Sequence, residues 1–378
     1  MREKGSWSDE TYRTRATEAK IRGSSTFAGE KRAQEGRGLD PLVDPEKYGV
    51  VRESNNLLVP DGEEFILQFG VAMPVETDLD TTGSMGRNVD VAFGALPKVQ
   101  NLLIQGPNAV LRRYHTQIAT GVIQDRGDTF PYQRSQFEPD NEVERQMGLL
   151  VPERDGGDAP EDYQIGLFAA AYLTKASITQ YGLRGYHFTV GDERGRDKLD
   201  RRVLEQVFGP SVFEKAFGSK PPQSLPSTEE VAKKVLENWH AFFLQVGNSR
   251  GTTEWWSKLF GRERVIVLPR TEDLAEVQAC IIGLTEGVLD PDSALEILGA
   301  NRNNAQSIVR AVADIPAGLQ ATFPNFNRIP PAGVRFKSRE DIWPIGSEAG
   351  SAPPTSDKKT KEPSKKSGKG KKEDDWKL

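Results

Sequence analysis

Asp80-Thr81-Thr82-Gly83-Ser84-Met85 closes a strongly apolar run that begins near Phe65 and precedes a segment of helical spacing. The hexapeptide therefore sits where a strand turns into a helix. It carries a carboxylate and two hydroxyls at alternate positions, Asp80, Thr82 and Ser84. Alternation brings three oxygen side chains into one tight loop, a donor set suited to a hard divalent cation such as Mg²⁺ or Mn²⁺. A helix cap would also use Asp or Ser here, but capping needs one such residue and this loop has three.

Outward from this loop, strand-like and helix-like segments alternate. Residues 88–104 have helical spacing through Val91, Leu96, Val99 and Leu103, 117–124 read as a strand, and 142–150 as a short helix. A helix over 161–176 has a broad apolar face, and the strand 186–190 ends at Gly191-Asp192-Glu193. Helix over 198–208, a proline-rich insertion over 209–227, helix 229–238, strand 240–246, helix 253–260 and strand 265–268 follow. Helices over 273–287 and 293–315 close the series. The pattern predicts an α/β fold, doubly wound, with a mostly parallel central sheet flanked by helices.

Composition sets the limits of this domain. An apolar content of 36% against 28% charge is lean, which implies one core with polar ends. The expected organisation is an N-terminal arm over 1–48, a folded domain over 64–316 and a disordered Lys/Pro/Ser-rich tail over 333–378. Residues 357–378 are locally +4 within a total of −5, so the remainder is acidic and a nucleic-acid-binding core is not expected. The lone Cys280 lies in an apolar run and reads as a buried, inert thiol; it cannot form an intramolecular disulfide. The charged N-terminus has no secretory apolar segment and no run is long enough to span a bilayer, so a cytoplasmic protein is expected.

Ligands of doubly wound sheets collect at the carboxyl ends of the strands, near the point where strand order reverses. Three loops belong to that edge: Asp80-x-Thr82-x-Ser84; Gly156-Gly157-Asp158-Ala159-Pro160-Glu161-Asp162 before a helix; and Gly191-Asp192-Glu193 after a strand. Their order and context resemble von Willebrand factor A (vWA) domains, whose first metal loop reads Asp-x-Ser/Thr-x-Ser. The resemblance covers roughly residues 65–315. The second loop, with Ile123-Gln124-Asp125-Arg126-Gly127-Asp128, is similar to the vWA subgroup that includes those attached to α-kinases.

The resemblance implies a MIDAS-like metal site built from Asp80, Thr82, Ser84, Asp158 and Asp192, holding Mg²⁺ or Mn²⁺. It implies a non-enzymatic module for protein–protein interaction in an intracellular complex, with an AAA+ ATPase as partner in many such families. Asp158 departs from the pattern, because vWA domains usually place a Thr there. It also has the context of a helix opening, with Pro160 and Glu161 following, so ligand and cap both stand as readings.

Other chemistry is sparse. Neither G-x-x-x-x-G-K-[ST] nor a strand-linked G-x-G-x-x-G occurs, which excludes the common nucleotide loops. His115, His187 and His240 lie in separate segments without metal-ligand spacing, and Trp239, Trp255 and Trp256 read as packing residues of helical context. The competing class is a serine hydrolase with Ser84 at a nucleophile-elbow-like turn and His187 or His240 as base. Asp80 and Thr82 would have no role in such an elbow.

Overall fold

The apolar run from Phe65 is divided by Gly70, whose φ of +93° turns the chain. It forms a short strand, Glu64–Leu67, and then β1, Ala72–Asp80. All nine residues of β1 are buried, yet its two faces differ. Val75 and Leu79 join one hydrophobic cluster, whereas Glu76, Asp78 and Asp80 alternate onto the opposite side. Reading the run as uniformly apolar captures only one of those faces. The computed structural model describes residues 28–52, 58–105, 109–140, 142–154, 159–297 and 302–342.

Five further strands complete the central sheet: β2 (His115–Ile123), β3 (Tyr132–Arg134), β4 (Gly185–Gly191), β5 (Trp239–Gln245) and β6 (Val265–Val267). Their order is β3-β2-β1-β4-β5-β6, parallel throughout except for the antiparallel edge strand β3. Order reverses between β1 and β4, so the crevice of a doubly wound sheet falls at their carboxyl ends. Helices α1 (Asn88–Gln100) and α5 (Leu274–Glu286) cover one face through Phe93, Val99, Val277 and Ile281. Helices α2 (Gln164–Tyr172), α3 (Thr228–Asn238) and α4 (Arg250–Phe260) cover the other through Phe168, Val235 and Trp256. Cys280 is buried in α5, and burial pushes its thiol up to about 12, which makes it a packing residue. No helix among the described residues is long and apolar enough to cross a membrane.

Several boundaries differ from the sequence reading, most of them for a tertiary reason. The helix expected over 161–176 is only α2. Glu161 spends its backbone groups on a bridge to the loop after β4, and Thr174–Lys175 pair in parallel with Val51–Arg52. The helix expected from residue 198 begins at Arg201, capped by Asp200. The proline-rich insertion contains a helix, Val212–Phe217, whose Phe217 packs against Phe168 of α2. Trp239 opens β5 and donates its indole N–H to the Ala170 carbonyl at 3.1 Å, so it is a strand residue. The described part of the arm is held to the domain by a buried Val43, whose carbonyl accepts from Arg134 N–H at 3.3 Å. Arg335–Phe336 pair with Glu64–Leu67, and residues 343–378 lie outside the described residues.

Candidate metal centre

The carboxyl ends of β4, β1 and β2 lie side by side, and each delivers an acid. Asp80 ends β1, Asp192 follows β4 directly, and Asp125 stands two residues beyond Ile123, the register partner of Asp80. After Asp80 the chain makes a tight 3₁₀ turn, Gly83–Met85, anchored by the buried Met85 and released by Gly86 at φ +48°. This turn holds Ser84 at the surface while Asp80 and Thr82 remain buried.

Asp80 Oδ1 accepts from the Thr82 amide at 2.9 Å and from Thr82 Oγ1 at 2.7 Å. Its Oδ2 accepts from the Tyr163 hydroxyl. Thr82 Oγ1 lies 3.2 Å from Ser84 Oγ, which donates to Asp192 Oδ1 at 3.0 Å. Asp80–Thr82 and Ser84–Asp192 are thus two hydrogen-bonded pairs whose hydroxyl oxygens approach each other at 3.2 Å, in a line from the buried sheet edge to the surface. Burial pushes the Asp80 carboxyl up to about 7 despite its three donors, and burial also raises Asp192. Asp158 lies outside the described residues.

Tyr163 is fixed by edge contacts with Phe243 and Trp256, whose own rings stack at 4.0 Å. A Cβ on Gly191 would stand 2.0 Å from the Tyr163 hydroxyl, so only glycine lets the phenol reach Asp80. Replacing Tyr163 by Phe removes a hydrogen bond to a buried carboxylate. It is expected to cost about 1.5–3 kcal/mol at pH 8, where Asp80 is ionised. Urea unfolding measures this; a loss below about 0.5 kcal/mol would mean that the phenol does not hold Asp80.

Asp162, fully buried, ties the surrounding loops together. Its carboxylate accepts from Arg126 Nη2 at 2.7 Å, from the Arg126 amide at 2.9 Å and from Arg196 Nε at 3.2 Å. Trp256 Nε1 donates to the Glu193 carbonyl at 3.1 Å, and Thr252 Oγ1 donates to the Asp192 carbonyl at 3.2 Å. These contacts make the edge rigid before any ligand arrives.

Sequence reasoning missed two acids here. Asp125 and Glu161 are buried, with their carboxyls against each other, and both Asp125 oxygens and Glu161 Oε2 lack a hydrogen-bond partner. Burial, reinforced by Asp125 and the charges of Asp80 and Asp192, pushes Glu161 up to about 10. Both lie in loops that the sequence reading quotes, but no spacing links one to the other; the fold sets them face to face.

A second constellation lies deeper on the same strand. Glu76, Asp78 and His187 present ligating atoms within 4.8 Å of one another, although no sequence spacing links them. Glu76 and His187 are register partners on β1 and β4, with His187 Nδ1 3.8 Å from Glu76 Oε2. Arg134 Nη1 donates to Glu76 Oε1 at 2.9 Å, and Tyr132 lies 3.4 Å from both Asp78 oxygens. Burial opposes the Glu76 charge, yet Arg134 and His187 hold its carboxyl below the usual range. Burial and the Glu76 charge push Asp78 up to about 7. Burial opposes a charge on His187, yet Glu76 and Asp78 raise its imidazole, and with Arg134 beside Glu76 this cluster reads as an internally compensated network. Its acids are accommodated by glycines: a Cβ on Gly121 or Gly166 would meet an Asp78 oxygen at 1.9 or 2.4 Å. His240 is also buried, with Nε2 2.8 Å from Gln320 Oε1 and its imidazole pushed down to about 3 by burial.

No protein-family model matches the chain, and no curated protein matches it. Solved structures do. Proximal thread matrix protein 1 (PTMP1) of the mussel byssus is 12% identical, over 57% of this chain and 47% of that one, with a TM-score of 0.36. A von Willebrand factor type A protein from Catenulispora acidiphila is 14% identical, over 59% and 44%, with a TM-score of 0.33. The pilus adhesin SpaC of Lactobacillus rhamnosus GG is 14% identical, over 56% and 30%, with a TM-score of 0.37. The chain thus spans less than half the length of each of these structures.

Proposed function

We propose that the chain is a metal-dependent protein-interaction module that binds Mg²⁺ or Mn²⁺ at a MIDAS-like centre. The observation that carries the reading is the Ser84–Asp192 hydrogen bond, which joins two loops 108 residues apart at the switch point of the sheet. Ser84 and Asp192 offer hard oxygens toward the surface with the buried Thr82 hydroxyl beneath them, while Asp80, held on both oxygens, orients Thr82 from behind. This donor set fits a small divalent cation. Bound there, such an ion would leave a coordination position for an oxygen of a partner protein. A cytoplasmic multiprotein assembly with an AAA+ ATPase is the partner class that the vWA resemblance suggests. Capture of the tagged protein's partners in Mg²⁺ and in EDTA tests it.

The expected result of isothermal titration with Mg²⁺ and Mn²⁺ is a site that Asp80→Ala and Ser84→Ala both abolish. Titrations unchanged in both variants would overturn the reading. The serine-hydrolase alternative places demands that the geometry works against. Ser84 is bonded to a carboxylate rather than to a histidine. His187 pairs with Glu76, four residues back along β1 from Asp80 and hence about 13 Å away. A serine-reactive fluorophosphonate is expected to leave Ser84 unlabelled; labelling there would favour the hydrolase.

A further inference from the structure

We propose that a pocket at the amino-terminal edge of the central sheet binds a small polyhydroxylated anion, a sugar phosphate or a sugar acid. The site is separate from the metal centre and adds a second ligand to the function proposed above. It lies where α3 hands over to β5. Asn238 closes the helix, Trp239 opens the strand, and both line a cavity of about 290 Å³ together with the segment between α2 and β4. From Trp239 the strand β5 runs to Gln245, the register partner of Gly191 beside Asp192. At about 3.3 Å per residue, the cavity is roughly 20 Å from the metal edge.

The walls are built without help from a ligand. Residues Ser177–Tyr181 form a 3₁₀ turn, pinned by the buried Ile178 and Tyr181 and ended by Gly182 at φ +68°. Thr174 Oγ1 donates to the Ala169 carbonyl at 2.9 Å and accepts from Arg134 Nη1 at 2.8 Å. Thr179 Oγ1 donates to the Ala176 carbonyl at 2.6 Å. The Trp239 indole N–H, spent on the Ala170 carbonyl, fixes that buried ring at the base. These polar groups are committed to the protein's own chain, so they hold the shape of the cavity.

Three other side chains of the lining are uncommitted, and they decide the chemistry. Lys175 and Gln180 are exposed and Asn238 is half-buried; among the described residues none of the three has a hydrogen-bond or ion-pair partner. Lys175 is the single charged residue of the lining and brings three N–H donors with no acid on the same walls, which favours an anionic group. Gln180 and Asn238 each offer a carboxamide, both donor and acceptor, and a sugar hydroxyl likewise donates and accepts. The volume falls near the lower end of small-molecule sites, about 300–1,000 Å³, whose walls are mostly apolar. Here hydroxyls, amides and an ammonium group dominate, so the cavity suits a compact hydrophilic ligand and not an apolar one.

Isothermal titration of the full chain tests the assignment, in EDTA so that no metal-bridged phosphate contributes. The probes are glucose 6-phosphate, gluconate, glucose and inorganic phosphate. One of the two sugar anions is expected to fill a single site with a dissociation constant below about 1 mM, and which of them does so identifies the anionic group. Glucose and inorganic phosphate, each with half of the recognised chemistry, are expected to bind at least about tenfold more weakly. Lys175→Met keeps the stem and removes the charge; it is expected to weaken binding by about 10–100-fold, and Asn238→Ala by about 2–10-fold. Should Asn238→Ala not fold by circular dichroism, Gln180→Ala, at an exposed position, takes its place with the same expectation. No saturation by either sugar anion, or an affinity in Lys175→Met within about twofold of wild type, overturns the proposal. Inorganic phosphate bound as tightly as the sugar anion overturns it too, because the amides would then recognise nothing. None of these results bears on the metal reading, which is tested with the metal ions alone.

Discussion

Replacing Arg134 by Met is expected to destabilise the protein by about 3–5 kcal/mol, because it leaves buried carboxylates without their fixed positive charge. Arg134 is 1% exposed and Glu76 is fully buried, so water cannot take over the lost interaction. The guanidinium also donates to Thr174 Oγ1 at 2.8 Å, which ties the edge strand β3 to the segment after α2. Removing both charges together is a milder change. Arg134→Met combined with Glu76→Gln is expected to recover part of the loss, since no uncompensated ion remains. Urea unfolding followed by circular dichroism gives both values. A loss below about 1 kcal/mol for the single variant would show that the network is not the internally compensated ion cluster described here.

The second large effect is a dependence of metal stabilisation on pH. Burial pushes Asp78 and Asp80 up to about 7 from an ordinary carboxyl value of 3.8, so between those limits the folded chain binds more protons than the unfolded chain. Their contribution to stability is therefore full below about pH 4 and is lost as pH rises through 7. Raising Asp192 acts in the same direction. At pH 5 a proton occupies the buried Asp80 carboxyl behind the cation site; at pH 8 ionised Asp80 and Asp192 repel one another, and a cation relieves them. Mg²⁺ at about one hundred times its dissociation constant is expected to add about 2.7 kcal/mol at pH 8 and little at pH 5. Thermal melts with Mg²⁺ and with EDTA at the two pH values provide the test. Equal shifts at both, or no shift at pH 8, would contradict proton competition at this centre.

The class of fold and the position of the first loop were legible in the chain because both are local in their cause. Hydrophobic periodicity marks strands and helices residue by residue, and alternation of Asp80, Thr82 and Ser84 within one turn needs no distant contact to be recognised. The same locality explains the boundary differences. Glu161, Trp239 and Thr174 each have a local context compatible with helix, and each is drawn out of one by a partner far along the chain: Gly195, β4 or Val51. The even-numbered face of β1 was hidden for a related reason. Glu76 and Asp78 sit in a run whose apolar neighbours dominate, and nothing nearby in sequence announces Arg134 or His187.

By itself, then, the sequence determined an alternating α/β chain and an oxygen-rich loop ending its first central strand, since backbone periodicity and short-range donor spacing are properties of contiguous residues. Tertiary structure decided how the loops at that edge meet and which buried groups face one another. It set Asp192 against Ser84 across 108 residues, brought Glu161 and Asp125 together without donors, and matched Glu76 with Arg134 and His187. The physical reason is that charge compensation acts through space in a poorly screening interior, while the order of strands that creates those neighbours is a global outcome of folding.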